Sequence, residues 1–132
     1  MKLVSIRLIT DDVQRLVSFY ETATGTSATW STPEFAELDT SGGRLAVAST
    51  ATIALFGNGI AEASHNRSAI IEFLVEDVDA RYDQIRQSVA ELVQEPTTMP
   101  WGNRSLLFRD PDGNLVNFFT PVTSAAKEKF GV

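Results

Sequence analysis

A chain of 132 residues with 43% hydrophobic and 21% charged side chains has the size and composition of a single globular domain with one core. It contains no cysteine, which excludes disulfides and thiolate metal sites, and its one histidine, His65, leaves the commonest nitrogen ligand nearly missing. The net charge of −6 argues against nucleic-acid phosphate as a partner, and no apolar run approaches the roughly 20 residues that cross a bilayer. Ser5 and Arg7 interrupt the N-terminal apolar residues, so no signal-peptide core is expected; the expectation is a cytoplasmic protein without a membrane partner.

Val4, Ile6 and Leu8 alternate with Ser5 and Arg7, which predicts a half-buried strand over residues 3–10 whose apolar side packs on a helix. Asp11 and Asp12 offer helix N-caps, and Val13, Leu16, Val17 and Tyr20 recur at helical spacing, with Phe19 widening the stripe. Gly25 is placed to close that helix. Short strands are predicted at 27–30, 35–39, 44–49 and 52–56, with Ser41-Gly42-Gly43 as a turn. Residues 57–67 lack periodicity and read as a linker.

The pattern then starts again. Ile71, Phe73 and Val75 share one parity, Asp77 is the next N-cap, and Val78, Tyr82 and Ile85 form a helical stripe. A short strand is predicted over 89–94, and Pro96 and Pro100 mark a loop over 95–100. From Trp101 to Phe119 two apolar runs flank Asp110-Pro111-Asp112-Gly113-Asn114, a concentration of turn residues that predicts a β-hairpin. The tail 124–132 forms a short helix or frays.

The two halves overlay. A shift of 65 residues places Ile6 on Ile71, Leu8 on Phe73, Asp12 on Asp77 and Val13 on Val78, and a shift of 60 places Gly42-Gly43-Arg44 on Gly102-Asn103-Arg104. Each half reads as strand, helix, three strands. A module of that kind keeps one sheet face bare after its helix has packed. The repeat and the closing turn together resemble the vicinal oxygen chelate superfamily of glyoxalases, bleomycin-resistance proteins and extradiol dioxygenases. The resemblance implies an α+β fold of two βαβββ modules whose paired curled sheets form an incomplete barrel around a ligand groove. The expected boundaries are a first module over 1–58, a linker over 59–67, a second module over 68–122 and a tail over 123–132.

Enzymes of that superfamily hold one divalent metal, which acts as a Lewis acid on vicinal substrate oxygens. The resemblance carries the four ligand positions onto Ser5, Ala54, Ile70 and Asn117, and these cannot assemble an N/O shell because Ala54 and Ile70 have no donor atom. The expectation is therefore no metal, no cofactor and no catalytic residue. The remaining polar positions of the implied groove are Arg7, Glu72, Asn103, Ser105 and Asn117, with Trp101 as an aromatic wall. Arg7 suits a ligand carboxylate or phosphate and Glu72 an amine or hydroxyl, although an ion pair between them is the alternative. Trp30 and Trp101 fit core or dimer contacts as well as a pocket, Arg104 fits a turn brace, and His65 fits a solvated loop. Asp11, Asp12, Asp77 and Asp79 are explained by helix capping.

The leading functional expectation is metal-independent binding of a small molecule, as in the bleomycin-resistance branch, with a homodimer implied by the resemblance. Two further classes remain open. One is a metal-dependent lyase, isomerase or dioxygenase with an atypical site. The other is a non-catalytic interaction module.

Overall fold

A computed structural model describes residues Met1–Val132, which divide into two units, Met1–Asn66 and Arg67–Val132. In the first, β1 (Ser5–Thr10) leads into α1 (Val13–Thr24), followed by β2 (Thr29–Thr32), β3 (Phe35–Thr40), β4 (Gly43–Ser49) and the single turn α2 (Thr50–Ile53). In the second, β5 (Ile70–Leu74) leads into α3 (Val78–Ile85), then β6 (Glu91–Thr98), β7 (Asn103–Arg109), β8 (Leu115–Pro121) and α4 (Ser124–Phe130). The sheets have the orders β1-β4-β3-β2 and β5-β8-β7-β6. In each, the first strand runs parallel to the last and the other pairs are antiparallel. Each unit is therefore a βαβββ module with an open, mixed sheet. No helix is long and apolar enough to cross a membrane.

The long helices begin where the aspartates direct. The Asp12 carboxylate accepts from the Arg15 amide at 3.1 Å and Asp77 accepts from Ala80 at 3.0 Å, each filling an orphan donor of the first turn. Gly25, at φ 72°, closes α1 in the left-handed conformation. α1 packs across β3 and β4 and buries Leu16, Val17 and Tyr20 completely, each side chain contributing about 1.5–3 kcal/mol. In the second unit Phe73 and Phe108 meet Phe118 edge to face, at 5.4 and 5.0 Å between centroids, under α3. α3 is a turn shorter than α1, and a crevice of about 50 Å³ lined by Tyr82, Ile85, Leu92, Leu106 and Phe108 lies at its end.

The closing turn explains its own composition. Asp110 Oδ1 accepts from the amides of Asp112 and Asn114, both at 2.9 Å, and its Oδ2 accepts from Asn114 Nδ2 at 2.7 Å. Gly113 supplies the φ of +85° that the chain reversal requires.

Several expectations need correction. Residues 52–56 are not a strand, because Thr52 Oγ1 donates to the Ser49 carbonyl at 2.7 Å and the chain coils into α2. Ala54 is accordingly the C-cap of that turn and lies off the sheet. The 60-residue shift is also wrong for the later strands. It pairs β4 with β7, whereas strand order makes β8 the counterpart of β4. β6 continues through Pro96 to Thr98 because it is an edge strand with register breaks on both sides of Gln94. Val4 and Ile6 carry the expected parity but stay more than half exposed, since α1 leaves the start of β1 uncovered.

Candidate functional site

In each unit the sheet has one face packed by its long helix and an opposite face that carries the polar candidates. The parity is fixed by Leu8, Val47 and Leu38 under α1, and by Phe118, Leu106 and Phe108 under α3. The opposite face of the first sheet presents Arg7, Phe35, Glu37, Arg44, Ala46 and Ala48. That of the second presents Glu72, Leu107, Asn117, Ser105 and Phe119.

Arg7 and Glu72 hold the same place in their own modules. Each is the third residue of the first strand; Arg7 is paired with Ala46 and Glu72 with Asn117. Their surroundings differ. The Arg7 guanidinium lies 5.1 Å from the Phe35 ring centroid and 6.0 Å from that of Phe56, an aromatic setting that favours a cation, and it has no acidic partner. Arg44 on the same face is already engaged. Its Nε donates to Asp39 at 2.7 Å, and this bond, with Glu37 near by, holds its guanidinium above its ordinary range.

Glu72 Oε2 accepts from Asn117 Nδ2 at 2.8 Å. A carboxylate only accepts, so it fixes the amide with its NH₂ toward Glu72 and its Oδ1 turned away. That Oδ1 is buried and has no protein partner, and the Ser105 hydroxyl and Asn103 Oδ1 are in the same condition. Asn117 is 8% exposed and Ser105 4%, so both belong to the sheet interior.

The remaining candidates fall elsewhere. Trp101 is 66% exposed in the turn before β7, and Gly102 at φ +95° breaks the alternation that would have placed it beside Asn103. Trp30 lies within β2, paired with Ala36, and so on the α1 side of its sheet. Arg104 forms a two-point bond with Asp79, which makes Asp79 an ion-pair partner rather than a cap. His65 is exposed, bonded to the Ala63 carbonyl at 2.6 Å and 3.1 Å from Glu62.

α4 was not foreseen as part of this face. It follows β8 and sets Phe130 against Phe119 at 5.0 Å between centroids, on the side of the sheet away from α3. Phe56 does the same after β4, reaching Arg7 on the side away from α1. A single phenylalanine a few residues beyond each last strand was the available signal.

Two mixed sheets of βαβββ modules, related by internal repetition, define a class, and comparison with known proteins fills it in. Residues 2–118 match the model of the Glyoxalase/Bleomycin resistance protein/Dioxygenase superfamily, and the chain belongs to that superfamily. It is 30% identical over 125 residues to the uncharacterized protein YraH of Bacillus subtilis (strain 168), covering 90% of this chain and 98% of that one. A glyoxalase/bleomycin resistance protein/dioxygenase family enzyme from Burkholderia phytofirmans PsJN shares the fold with a TM-score of 0.82 at 19% identity, over 92% of this chain and all of that one. A glyoxalase/bleomycin resistance protein/dioxygenase from Nocardioides does so with a TM-score of 0.76 at 23% identity, over 94% of this chain and 85% of that one.

The residues present do not fit the divalent metal that the superfamily's enzymes use. Ala46, not Ala54, is the counterpart of Asn117 in the first sheet, and it lacks a donor atom just as Ile70 does. Ser5 and Asn117 are neutral, and no group of three or more His, Cys, Asp or Glu side chains gathers anywhere in the chain.

Proposed function

We infer that this chain binds a small organic molecule without a metal, with the sheet face opposite α3 in the second unit as the principal candidate surface. The observation that carries this reading is the Glu72–Asn117 pair. At the strand position where a metal ligand would be charged and free, the chain has a neutral amide tied at 2.8 Å to a carboxylate, with one buried acceptor left over. A neutral amide is a poor substitute for the carboxylate and imidazole ligands that Zn, Fe, Ni or Mn favour, whereas recognition of an organic ligand rests on fixed donors and acceptors in apolar surroundings. Arg7, held by two aromatic rings with no acidic partner, supports the same reading from the first unit. A homodimer and a cytoplasmic location are part of the proposal, in keeping with the binding branch of the superfamily.

Native mass spectrometry of the untagged protein, followed by thermal shift with Zn²⁺, Fe²⁺, Ni²⁺ and Mn²⁺ and then with a small-molecule library, tests it. The expected result is a dimer without bound metal, unmoved by the ions and stabilised by a subset of organic compounds. A ligand at 100 times its Kd contributes about 2.7 kcal/mol, a shift of several degrees. One divalent ion per chain together with turnover of a vicinal-oxygen substrate overturns it and favours the lyase, isomerase or dioxygenase class. Full biological activity of Arg7→Ala and Glu72→Ala variants overturns it in favour of an interaction module.

A further inference from the structure

We propose that the face formed by β5, β8 and β7 is a subsite for a protonated primary amine carried on an apolar body. This rests on the small-molecule reading above and adds the chemical class of the group recognised there. Three observations meet at one place. The Asn117 amide is oriented by Glu72, so its buried Oδ1 is a fixed acceptor without a partner. Ser105 lies on the same face of the adjoining strand, one diagonal step from Asn117, and its buried Oγ is likewise unpartnered. Glu72 is exposed and supplies a negative charge whose second oxygen has no bond.

Leaving a buried acceptor unmet carries a desolvation penalty, which is relieved when a donor arrives. Here the unmet atoms can all accept, and the nearby formal charge is negative. A carboxylate, phosphate or sulfonate would bring further acceptors against Glu72, whereas a primary ammonium brings three N–H donors and the opposite charge. Leu74, Ile70 and Leu107, on the same face, offer the apolar surface for the rest of the molecule.

The test is an NMR titration of the ¹⁵N-labelled full chain with three probes of one size: benzylammonium, benzyltrimethylammonium and benzoate. The expected result is that benzylammonium shifts the Asn117 side-chain amide and the Ser105 and Phe119 backbone amides. The trimethylated cation, which has charge but no N–H, and benzoate should bind about tenfold more weakly or worse. Glu72→Gln should weaken benzylammonium about tenfold while the spectrum stays dispersed. Ser105→Ala removes no hydrogen bond within the protein, so it keeps the fold and should weaken binding about threefold to tenfold. Equal binding of the trimethylated cation, equal binding of benzoate, or indifference to both substitutions overturns the proposal. If library compounds bind without metal while none of the benzyl probes reaches Asn117, the amine subsite falls and the broader binding function stands.

Discussion

Arg104 on β7 grips Asp79 in the first turn of α3 with two parallel bonds, Nε to Oδ2 at 2.7 Å and Nη2 to Oδ1 at 2.8 Å. The contact ties the helix to the third strand of its sheet. The guanidinium's hydrogen bonds hold the Asp79 carboxyl below its ordinary range. A depressed carboxylate stabilises the fold above its unfolded pKa, and that contribution is lost as pH falls through the folded value. Asp79→Asn should therefore melt below the parent at pH 7, and the difference should narrow once the pH is taken below about 4. Both side chains are partly exposed, 33% and 55%, so the effect is small and shrinks further in high salt. Melting curves from pH 2 to 7 at two salt concentrations check this.

The closing turn makes a stronger prediction. Asp110 is 5% exposed and serves two backbone amides and one side-chain amide. Asp110→Ala leaves those donors without their acceptor and should cost about 2–4 kcal/mol in urea denaturation. Asp110→Asn keeps one acceptor oxygen and should cost less.

Gly102 joins β7 to α4. Its carbonyl accepts from the amides of Val122 and Thr123, at 2.9 and 3.3 Å. Its φ is +95°, and a Cβ there would overlap Thr123 Oγ1. Gly102→Ala should lower stability by at least about 2 kcal/mol, seen as a fall of about 1 M or more in the urea midpoint. Thr123→Ser keeps the hydroxyl that caps α4 and should be nearly neutral.

Phe130 tests the hold of α4 on its sheet. Phe130→Ala removes the ring packed on Phe119 and should cost about 1–2 kcal/mol. Phe119, 6% exposed in the parent, should then become reachable, and binding of an environment-sensitive apolar dye should rise while far-ultraviolet circular dichroism stays close to that of the parent.

The sequence was most readable where one local rule acts alone. Asp12, Asp77 and Gly25 terminate their helices as their chemistry directs, and the hairpin over Asp110–Asn114 forms where turn residues concentrate. It was least readable where strands meet. Counting along the chain led to Ala54 as a ligand position, because the overlay did not know that the first strand of a module lies beside its last. Once β1 pairs with β4 and β5 with β8, the counterpart of Asn117 is Ala46, and Glu72 comes to lie beside Asn117. The rings around Arg7 were hidden for the same reason: Phe35 arrives from two strands away and Phe56 from beyond the end of the sheet. Pro96 misled because a proline forbids a central strand but not an irregular edge.

The Glu72–Asn117 bond also limits the paths by which this chain can change. Replacing Asn117 with glutamate would put two carboxylates side by side on neighbouring strands, and at least one would take up a proton. Adding a ligand at Ala46 or Ile70 alone would leave a lone side chain with nothing to chelate. The change at Asn117 therefore loses the Glu72 contact, and a change at Ala46 or Ile70 gains no partner ligand. The amide thus ties β5 to β8 at a position where a lone substitution brings no chelating partner.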